Sequence, residues 1–417
     1  MTQLAHKDAP VDAVTTAGKP MVAGDPLELV KGLSTRIQSL SQEMEENGRI
    51  DDEVAQAIAD AGVQAMSLPA VLGGAEASPA EILDVVSAIA YADGSTGWAT
   101  MASQAAIGVF GATMPEAGIK AVLASDNYLM AGLGGPTGTA RRVDGGYIVK
   151  GRHAFASGSA HAGWIHAGFF EVDESGKLLK GPNGGPIAVT GIFPRSKVNL
   201  LGNWDVLGLV ATTSVDYEVP EQFISDDFAF DATQIQRGGP LYAMGLKALT
   251  GTGHAGFALG VAKRALDEFK VLAQTSKRPP AGTLNLHDTI QRDFARWHAV
   301  YKSSKAFVYD SYTTLYEVAK AGGDMTPELQ ADCRVSLTDA TYRLAEMVRE
   351  VYMATGSQGL RNGSVIQRCM RDLHAGTQHM LTNEHIYVEA GRVYLEVPGL
   401  TPAHTQLMSV LFTPPLP

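Results

Sequence analysis

The clearest strand signal in the chain reads Asp144-Gly145-Gly146-Tyr147-Ile148-Val149-Lys150-Gly151-Arg152-His153-Ala154-Phe155-Ala156-Ser157-Gly158-Ser159. Short runs of alternating polar and apolar residues lie on both sides of its Asp-Gly-Gly triplet, with the period of half-buried strands. A triplet of this kind between two such runs is typical of a tight β-hairpin turn. We therefore predict that a sheet occupies this part of the chain.

Similar strand-like segments extend over residues 126–236, and both flanks of this region have a helical period. Apolar residues recur every three or four positions over residues 27–125 and again over four long stretches of residues 237–398. Helices, then strands, then helices predict an α+β fold with an N-terminal helical domain, a central antiparallel β-domain and a C-terminal four-helix bundle. Residues 1–26 are predicted to form a flexible tail, and residues 399–417 a C-terminal arm.

The composition narrows the class of protein. A chain of 417 residues with a formal net charge of -11 offers no positive field for nucleic acid or anionic lipid. Its two cysteines, Cys333 and Cys369, are too few for a disulfide framework or a thiolate metal site. Apolar runs fall short of the roughly 18 residues that a membrane span needs. We expect a soluble cytoplasmic protein with neither nucleic acid nor membrane as partner.

Two common kinds of site are disfavoured. The segment Gly251-Thr252-Gly253-His254-Ala255-Gly256 has the G-x-G-x-x-G spacing of dinucleotide sites but lies inside a helical pattern, whereas that fingerprint requires a strand followed by a helix. We favour close helix packing for it, with phosphate binding as the alternative. The eleven histidines show no metal-ligand spacing, so no metal is expected. Any redox chemistry would then come from an organic cofactor.

Three segments carry polar groups of interest, although the residues alone leave their function open. Ser157 follows a strand and precedes Gly158, which suits the approach of a flat ring as well as it suits a plain turn. Residues 204–214 form a loop that ends in hydroxyl side chains. The segment Gln367-Arg368-Cys369-Met370-Arg371-Asp372-Leu373-His374-Ala375-Gly376-Thr377-Gln378-His379 lies on the last predicted helix, where a lone histidine is most often a core group.

Taken together, the order of these motifs resembles the acyl-CoA dehydrogenase superfamily along nearly the whole chain after the N-terminal tail. The resemblance implies a homotetramer with a flavin between the β-domain and the bundle. Phe155-Ala156-Ser157 is similar to the segment whose aromatic residue packs on the isoalloxazine ring and whose hydroxyl approaches flavin N5. Thr212 and Ser214 match hydroxyl positions of a loop that contacts the cofactor.

Four further positions resemble residues that meet the phosphates or adenine of the flavin, often from a neighbouring subunit. They are Arg278, Gln291, Gly356 and Gln358.

The dehydrogenases of the superfamily also carry a catalytic glutamate, which follows a tyrosine a few residues after an Arg-Asp pair. This chain has His379-Met380 at the position where that Tyr-Glu pair is expected. The predicted helix near residues 243–266 contains no Asp or Glu in compensation. Removal of a proton from an acyl thioester therefore lacks an evident base.

The Phe-Ala-Ser-Gly-Ser and Arg-Asp-Leu-His-Ala motifs, together with Asp93-Gly94-Ser95-Thr96-Gly97-Trp98, resemble instead the flavin-dependent monooxygenase branch, including hydroxyphenylacetate and secosteroid hydroxylases. The resemblance implies the oxygenase component of a two-component system. Reduced FMN or FAD from a separate NAD(P)H-dependent reductase and O2 would hydroxylate a phenolic or indolic substrate through a C4a-hydroperoxyflavin. Ser157 and His379 would be catalytic, and Trp98 and His379 would bind the substrate.

Two alternatives stay open at this point. The first is an acyl-CoA dehydrogenase or flavin oxidase with a displaced catalytic base, for which Glu384 is a candidate. The second is a non-catalytic scaffold that keeps the flavin fold for assembly or ligand storage.

Overall fold

The computed structural model of the protein describes residues 24–182, 184–277 and 282–398. Helices, strands and helices follow one another along the chain, which confirms the predicted fold class. The predicted C-terminal arm lies outside the described residues, as does the predicted tail up to residue 23. None of the helices in the described ranges is both long and apolar enough to cross a membrane.

Five helices form the N-terminal part: α1 (Pro26–Asn47), α2 (Asp52–Asp60), α3 (Pro79–Ala92), α4 (Gly94–Thr113) and α5 (Glu116–Leu123). Helix α3 begins with a capping box, in which the Ser78 hydroxyl accepts from the Glu81 N–H and the Glu81 carboxylate accepts from the Ser78 N–H. Such caps stabilise a helix start by about 1 kcal/mol. Helix α4 is buried along nearly its whole length and is the helix that carries Trp98.

Seven strands form one sheet: β1 (Met130–Val143), β2 (Gly146–Ala156), β3 (Trp164–Val172), β4 (Ala188–Pro194), β5 (Asn199–Leu200), β6 (Val215–Ser225) and β7 (Ala229–Phe230). Their order across the sheet is β5-β6-β2-β1-β3-β4-β7. Strands β1 and β2 form the predicted hairpin, and Gly145 has a positive φ of 70° at its turn.

One strand pair departs from the predicted antiparallel arrangement, because β1 and β3 run parallel. The hairpin explains this departure. Strand β2 returns the chain to the end of the sheet where β1 began, and a short connection over residues 157–163 then starts β3 beside β1 in the same direction. The end of β2 and this connection carry Phe155 and Ser157.

Six helices complete the described chain: α6 (Pro240–Ala243), α7 (Leu246–Thr275), α8 (Asp288–Lys320), α9 (Pro327–Thr355), α10 (Val365–Gly376) and α11 (His385–Tyr394). The predicted fourth bundle helix is therefore two helices, and the prediction that His379 lies on a helix was wrong. Helix α10 ends where the Thr377 hydroxyl bonds to the His374 carbonyl at 2.7 Å. The Thr382 hydroxyl then holds the connecting turn by bonding to the His379 carbonyl at 2.8 Å.

Close packing explains the glycines of the Gly251–Gly256 segment, which lies within α7. A Cβ at Gly251 would lie 2.5 Å from Tyr312 Oη, and one at Gly253 would lie 2.9 Å from the Cβ of Met101. These glycines let α7 approach both α8 and α4. The prediction that they serve helix packing is confirmed.

Candidate active site

A chain of hydroxyl groups begins at Ser157, immediately after β2. Ser157 Oγ lies 2.8 Å from Ser214 Oγ, and Ser214 Oγ lies 2.6 Å from Thr212 Oγ1. Thr212 Oγ1 donates to the Leu209 carbonyl at 2.8 Å. The structure thus brings together three of the predicted flavin-binding residues through bonds between the strand end and the loop of residues 204–214.

The direction of the hydrogens along this chain follows from its last bond. Each hydroxyl has one hydrogen, and that of Thr212 is used on the Leu209 carbonyl. Thr212 must therefore accept from Ser214, and Ser214 from Ser157. Ser157 Oγ also accepts from Trp98 Nε1–H at 3.2 Å, which leaves one lone pair that can accept a further hydrogen bond.

Trp98 connects this hydroxyl chain to a cluster of rings. Its ring makes edge contacts with Phe257 at 5.0 Å, His254 at 5.2 Å and His379 at 5.6 Å between centroids. Gly376 leaves room for the cluster, since a Cβ there would lie 2.7 Å from Phe257. The predicted substrate-binding residues Trp98 and His379 are therefore in contact, and Trp98 also bonds to Ser157.

His379 caps the short turn that separates α10 from α11. Its Nδ1 accepts from the Leu381 N–H at 3.3 Å, so the hydrogen of a neutral imidazole lies on Nε2. Burial, and then the neighbouring His254 and Arg334, hold its pKa well below its usual value. The ring is therefore neutral at physiological pH and offers a donor, Nε2–H, at the site.

His254 is the residue that the sequence analysis missed. It lies on α7 with its ring centroid 4.3 Å from that of His379. Its Nδ1 donates to the Thr250 carbonyl at 3.1 Å, which leaves Nε2 as an acceptor. This buried nitrogen has no hydrogen-bond partner within the described ranges. An unsatisfied buried polar atom costs about 1–3 kcal/mol, and a ligand that donates to it removes that cost.

Burial lowers the pKa of His254 to about 4, so this imidazole is also neutral near pH 7. The two neutral rings therefore present one acceptor and one donor side by side. The sequence contained a signal for this residue, a polar side chain among the packing glycines of a buried helix. The glycine spacing favours packing for the whole segment, because nothing local in the sequence indicates where the His254 ring points.

An aromatic surface lies beside the hydroxyl chain and fits a flavin ring. Phe155 is 53% exposed and makes an edge contact with Trp204 at 5.3 Å between centroids. Trp204 is held in place by donating from Nε1 to the Leu209 carbonyl at 3.0 Å. An exposed aromatic face next to a free lone pair on Ser157 is suited to a flat ring system with a polar edge. The residues present therefore fit a flavin.

Two buried carboxyl groups, those of Asp372 and Asp93, hold the elements that carry the site residues. Asp372 Oδ1 accepts from the Leu209 N–H at 2.6 Å, which ties the loop of residues 204–214 to α10. Asp93 caps α4 by accepting from the Thr96 N–H at 2.8 Å, and so sets the start of the helix that carries Trp98. Burial first, and then the charge of Asp93, raise the pKa of Asp372 to about 7.

The remaining predicted cofactor residues lie elsewhere. Gln358 donates to Ser276 Oγ at 2.8 Å, and Gln291 donates to the Asn285 carbonyl at 3.0 Å. Both side chains are exposed and flank the loop between α7 and α8, and Gly356 ends α9 nearby in sequence with a positive φ of 60°. Arg278, in that same loop, lies outside the described residues. Gln358 and Gln291 therefore bond to residues at the two ends of this loop rather than to the hydroxyl chain of Ser157.

The candidate for a displaced base does not join the ring cluster. Glu384 is exposed at the start of α11. His374 lines a groove on the bundle surface together with Trp297 and Glu346, and its Nδ1 bonds to the Met370 carbonyl at 2.8 Å. Trp98 thus contacts two imidazoles and a phenyl ring, whereas Glu384 is exposed to solvent.

Two family models match the chain. The acyl-CoA dehydrogenase N-terminal domain matches residues 30–118, and the acyl-CoA dehydrogenase C-terminal domain matches residues 252–384. The chain is also 29% identical to the indole-3-acetate monooxygenase of Pseudomonas putida, over 84% of this chain and 89% of that protein. The two family-model matches together include Trp98, His254 and His379.

A second relative and a solved structure are also similar to this chain. The flavin-dependent monooxygenase, oxygenase subunit HsaA, of Rhodococcus jostii (strain RHA1) is 27% identical over 88% of this chain and 97% of that protein. The fold is shared by XiaF from Streptomyces sp. in complex with FADH2 and glycerol, with a TM-score of 0.80 and 18% identity over 90% of this chain and 96% of that one. The chain therefore belongs to the acyl-CoA dehydrogenase superfamily, within its branch of flavin-dependent monooxygenases.

Proposed function

We propose that the protein is the oxygenase component of a two-component flavin-dependent monooxygenase and that it hydroxylates a phenolic or indolic small molecule. Reduced FMN or FAD would come from a separate NAD(P)H-dependent reductase in the cytoplasm, and O2 would be the co-substrate. The relatives named as monooxygenases support this function, and so does the chemistry of the site.

The observation that carries the proposal is the neutral imidazole pair of His254 and His379, which Trp98 connects to the hydroxyl of Ser157. A dehydrogenase acting on an acyl thioester needs a base strong enough to remove a carbon-bound proton. Imidazoles with strongly lowered pKa values are poor bases for that step. They are well suited to hydrogen bonding with a polar substrate group.

The cofactor would lie against the aromatic surface of Phe155 and Trp204. When bound, reduced flavin supplies the electrons that activate O2 for transfer of one oxygen atom to the substrate. Ser157 Oγ can accept a hydrogen bond, because its own hydrogen is used on Ser214. It therefore matches the N5–H group of a reduced flavin, whereas an oxidised flavin presents an acceptor at N5. Ser157 would thus favour the reduced cofactor.

The imidazole pair would hold the substrate. His254 Nε2 would accept the hydrogen of a phenolic O–H or indolic N–H, which raises the electron density of the aromatic ring toward an electrophilic oxygen. His379 Nε2–H would donate to an oxygen atom at the reacting edge, and Trp98 would form a wall of the pocket. Enclosure by these rings excludes water from the reaction.

We further propose that the chain works as a homotetramer. Gln291, Gly356, Gln358 and Arg278 would then contact the phosphates or adenine of a flavin held mainly by a neighbouring copy. The bonds of Gln358 and Gln291 to residues at the two ends of the loop between α7 and α8 support this arrangement.

The test combines the purified protein with chemically reduced FMN or FAD under anaerobic conditions, followed by isotopically labelled O2 and a panel of phenols and indoles. We expect at least one compound to gain a single labelled oxygen atom, in an amount comparable to the flavin oxidised. Reoxidation of the bound flavin in which all the O2 consumed appears as H2O2, with no labelled product across the panel, would contradict the proposal.

The same preparation separates the alternatives. Anaerobic bleaching of bound oxidised flavin by an acyl-CoA would establish dehydrogenase chemistry instead. Failure to bind flavin in either redox state would establish a non-catalytic scaffold.

A further inference from the structure

Arg334 carries a buried positive charge with unused hydrogen-bond donors. Its side chain lies on α9 and is only 3% exposed. Nη2 donates to the Leu381 carbonyl at 3.2 Å, whereas Nε and Nη1 have no partner among the residues that the structure describes. A guanidinium keeps its charge at every physiological pH, and burying such a charge unpaired is strongly unfavourable. An anion that accepts hydrogen bonds from Nε and Nη1 of Arg334 would therefore be stabilised at this position.

The position of Arg334 links this anion to the substrate site. The Leu381 carbonyl accepts from Arg334, and the Leu381 N–H donates to Nδ1 of His379, so one residue connects the guanidinium to the imidazole. The charge of Arg334 also contributes, after burial, to lowering the pKa values of both His254 and His379. The guanidinium thus lies within electrostatic range of both rings.

The surroundings of Arg334 carry an excess of positive charge. Lys247 lies in the first turn of α7, where the helix dipole is itself positive. Burial, and then the charge of Arg334, lower its pKa to about 7. Glu389 acts on both cations and raises their pKa values, but it forms no ion pair with Arg334 in the described chain. The permanently charged Arg334 and the partly charged Lys247 thus lie within electrostatic range of one carboxylate, that of Glu389.

We propose that Arg334 binds a carboxylate group of the aromatic substrate. This inference rests on the proposed function and narrows its substrate class to aromatic acids. The ring would then lie against Trp98 and the imidazole pair while the carboxylate reaches the guanidinium. Charge-assisted bonds of this kind are about twice as strong as neutral ones, so they select strongly for the anion.

Matched ligands test the proposal without turnover. Indole-3-acetate and its neutral amide, and 4-hydroxyphenylacetate and its neutral amide, are titrated by calorimetry into the full-length protein with reduced FMN under anaerobic conditions. Wild type is expected to bind each acid about 10- to 100-fold more tightly than its amide, the range of a hydrogen bond to a charged group. Equal binding of acid and amide in both pairs would overturn the proposal.

Variants of Arg334 assign the discrimination to this residue. Arg334→Met is expected to bind acid and amide equally while keeping the wild-type affinity for the amide, which also shows that the variant is folded. Arg334→Lys should recover part of the preference for the acid. The control is Arg343→Met on the same helix, since Arg343 is exposed and bonds to Asp339 and Ser303 at 3.3 Å. It should discriminate as wild type does.

Retention of the full preference for the acid by Arg334→Met would refute the assignment. Melting temperatures give an independent reading. Ligand-free Arg334→Met should melt no lower than wild type, because the variant removes an unpaired buried charge, and the acids should no longer raise its melting temperature more than the amides do. If the protein binds the acids more tightly than the amides but oxygenates none of the four compounds, the result would support the carboxylate site and contradict the proposed function.

Discussion

The imidazole rings of His254 and His379 lie 4.3 Å apart between centroids and are inclined by 35° to one another. Each ring has its tautomer set by a backbone group, the Thr250 carbonyl for His254 and the Leu381 N–H for His379. The result is a complementary pair in which His254 Nε2 accepts and His379 Nε2–H donates. A substrate hydroxyl, which both donates and accepts, matches the pair completely.

Loss of the acceptor is the first prediction. His254→Ala is expected to lower kcat/KM for hydroxylation by about 5- to 150-fold, because the substrate's O–H or N–H is then buried without an acceptor at a cost of about 1–3 kcal/mol, while the affinity for reduced flavin stays unchanged. The matched control is His374→Ala. Like His254, His374 bonds through Nδ1 to the backbone carbonyl four residues earlier on its own helix, but it lies on the bundle surface. The control should stay within about twofold of wild type. Equal losses in the two variants would argue against a special role for His254.

Two replacements of His379 separate its chemistry from its structural role. Asparagine is a favoured capping residue and is expected to keep the bond to the Leu381 N–H, whereas alanine loses it. Both variants lack the Nε2–H donor and are expected to abolish hydroxylation while reduced flavin still reacts with O2. Product and H2O2 are quantified together. Wild-type product yield from either variant would remove His379 from the mechanism.

The direction of the hydroxyl chain predicts a redox preference. In Ser214→Ala the hydrogen of Ser157 is free to point at the cofactor. The ratio of the affinities for reduced and oxidised FMN should therefore fall by about 2- to 10-fold, which corresponds to the free energy of one hydrogen bond. Anaerobic titrations with both redox forms measure it. Ser159→Ala is the control, since the Ser159 hydroxyl bonds instead to the Thr213 carbonyl at 2.7 Å. An unchanged preference in Ser214→Ala would show that Ser157 makes no hydrogen bond to flavin N5.

Asp372 predicts a dependence of stability on pH. Its pKa is raised to about 7 in the folded protein, above the value of roughly 3.9 expected for an unfolded chain, so the folded state binds more protons between these values. Its contribution to the free energy of unfolding is therefore complete below about pH 4 and is lost as pH rises through 7. Asp372→Asn mimics the protonated carboxyl and keeps an acceptor for the Leu209 N–H.

Melting temperatures between pH 5 and pH 8 provide the measurement. Asp372→Asn should gain stability relative to wild type as pH rises, because only wild type carries the ionised, buried carboxylate at the alkaline end. Asp339→Asn is the control, since Asp339 pairs with Arg343 on the protein surface. A constant difference between Asp372→Asn and wild type over this range would contradict the raised pKa.

Much of the architecture could be predicted from the sequence, because the period of apolar residues is a local property of each helix and strand. The order of helices and strands and the hairpin at Gly145 came from local sequence patterns, and the resemblance of short motifs to the superfamily implied the candidate roles of Phe155 and Ser157. The departure from a catalytic glutamate also came from the sequence, by counting from Arg371-Asp372 to His379. These features depend on neighbours along the chain.

Only the tertiary structure revealed the relationships between distant residues. Packing of α7 against the turn after α10 brings His254 to His379, and the loop of residues 204–214 brings Ser214 to Ser157. Burial then decides the charge states, since the same imidazole is a base in water and a neutral hydrogen-bonding group between packed rings. The sequence by itself thus determined the elements and the types of functional group, and the tertiary structure decided which groups meet, because contact and burial depend on side chains far apart in the chain.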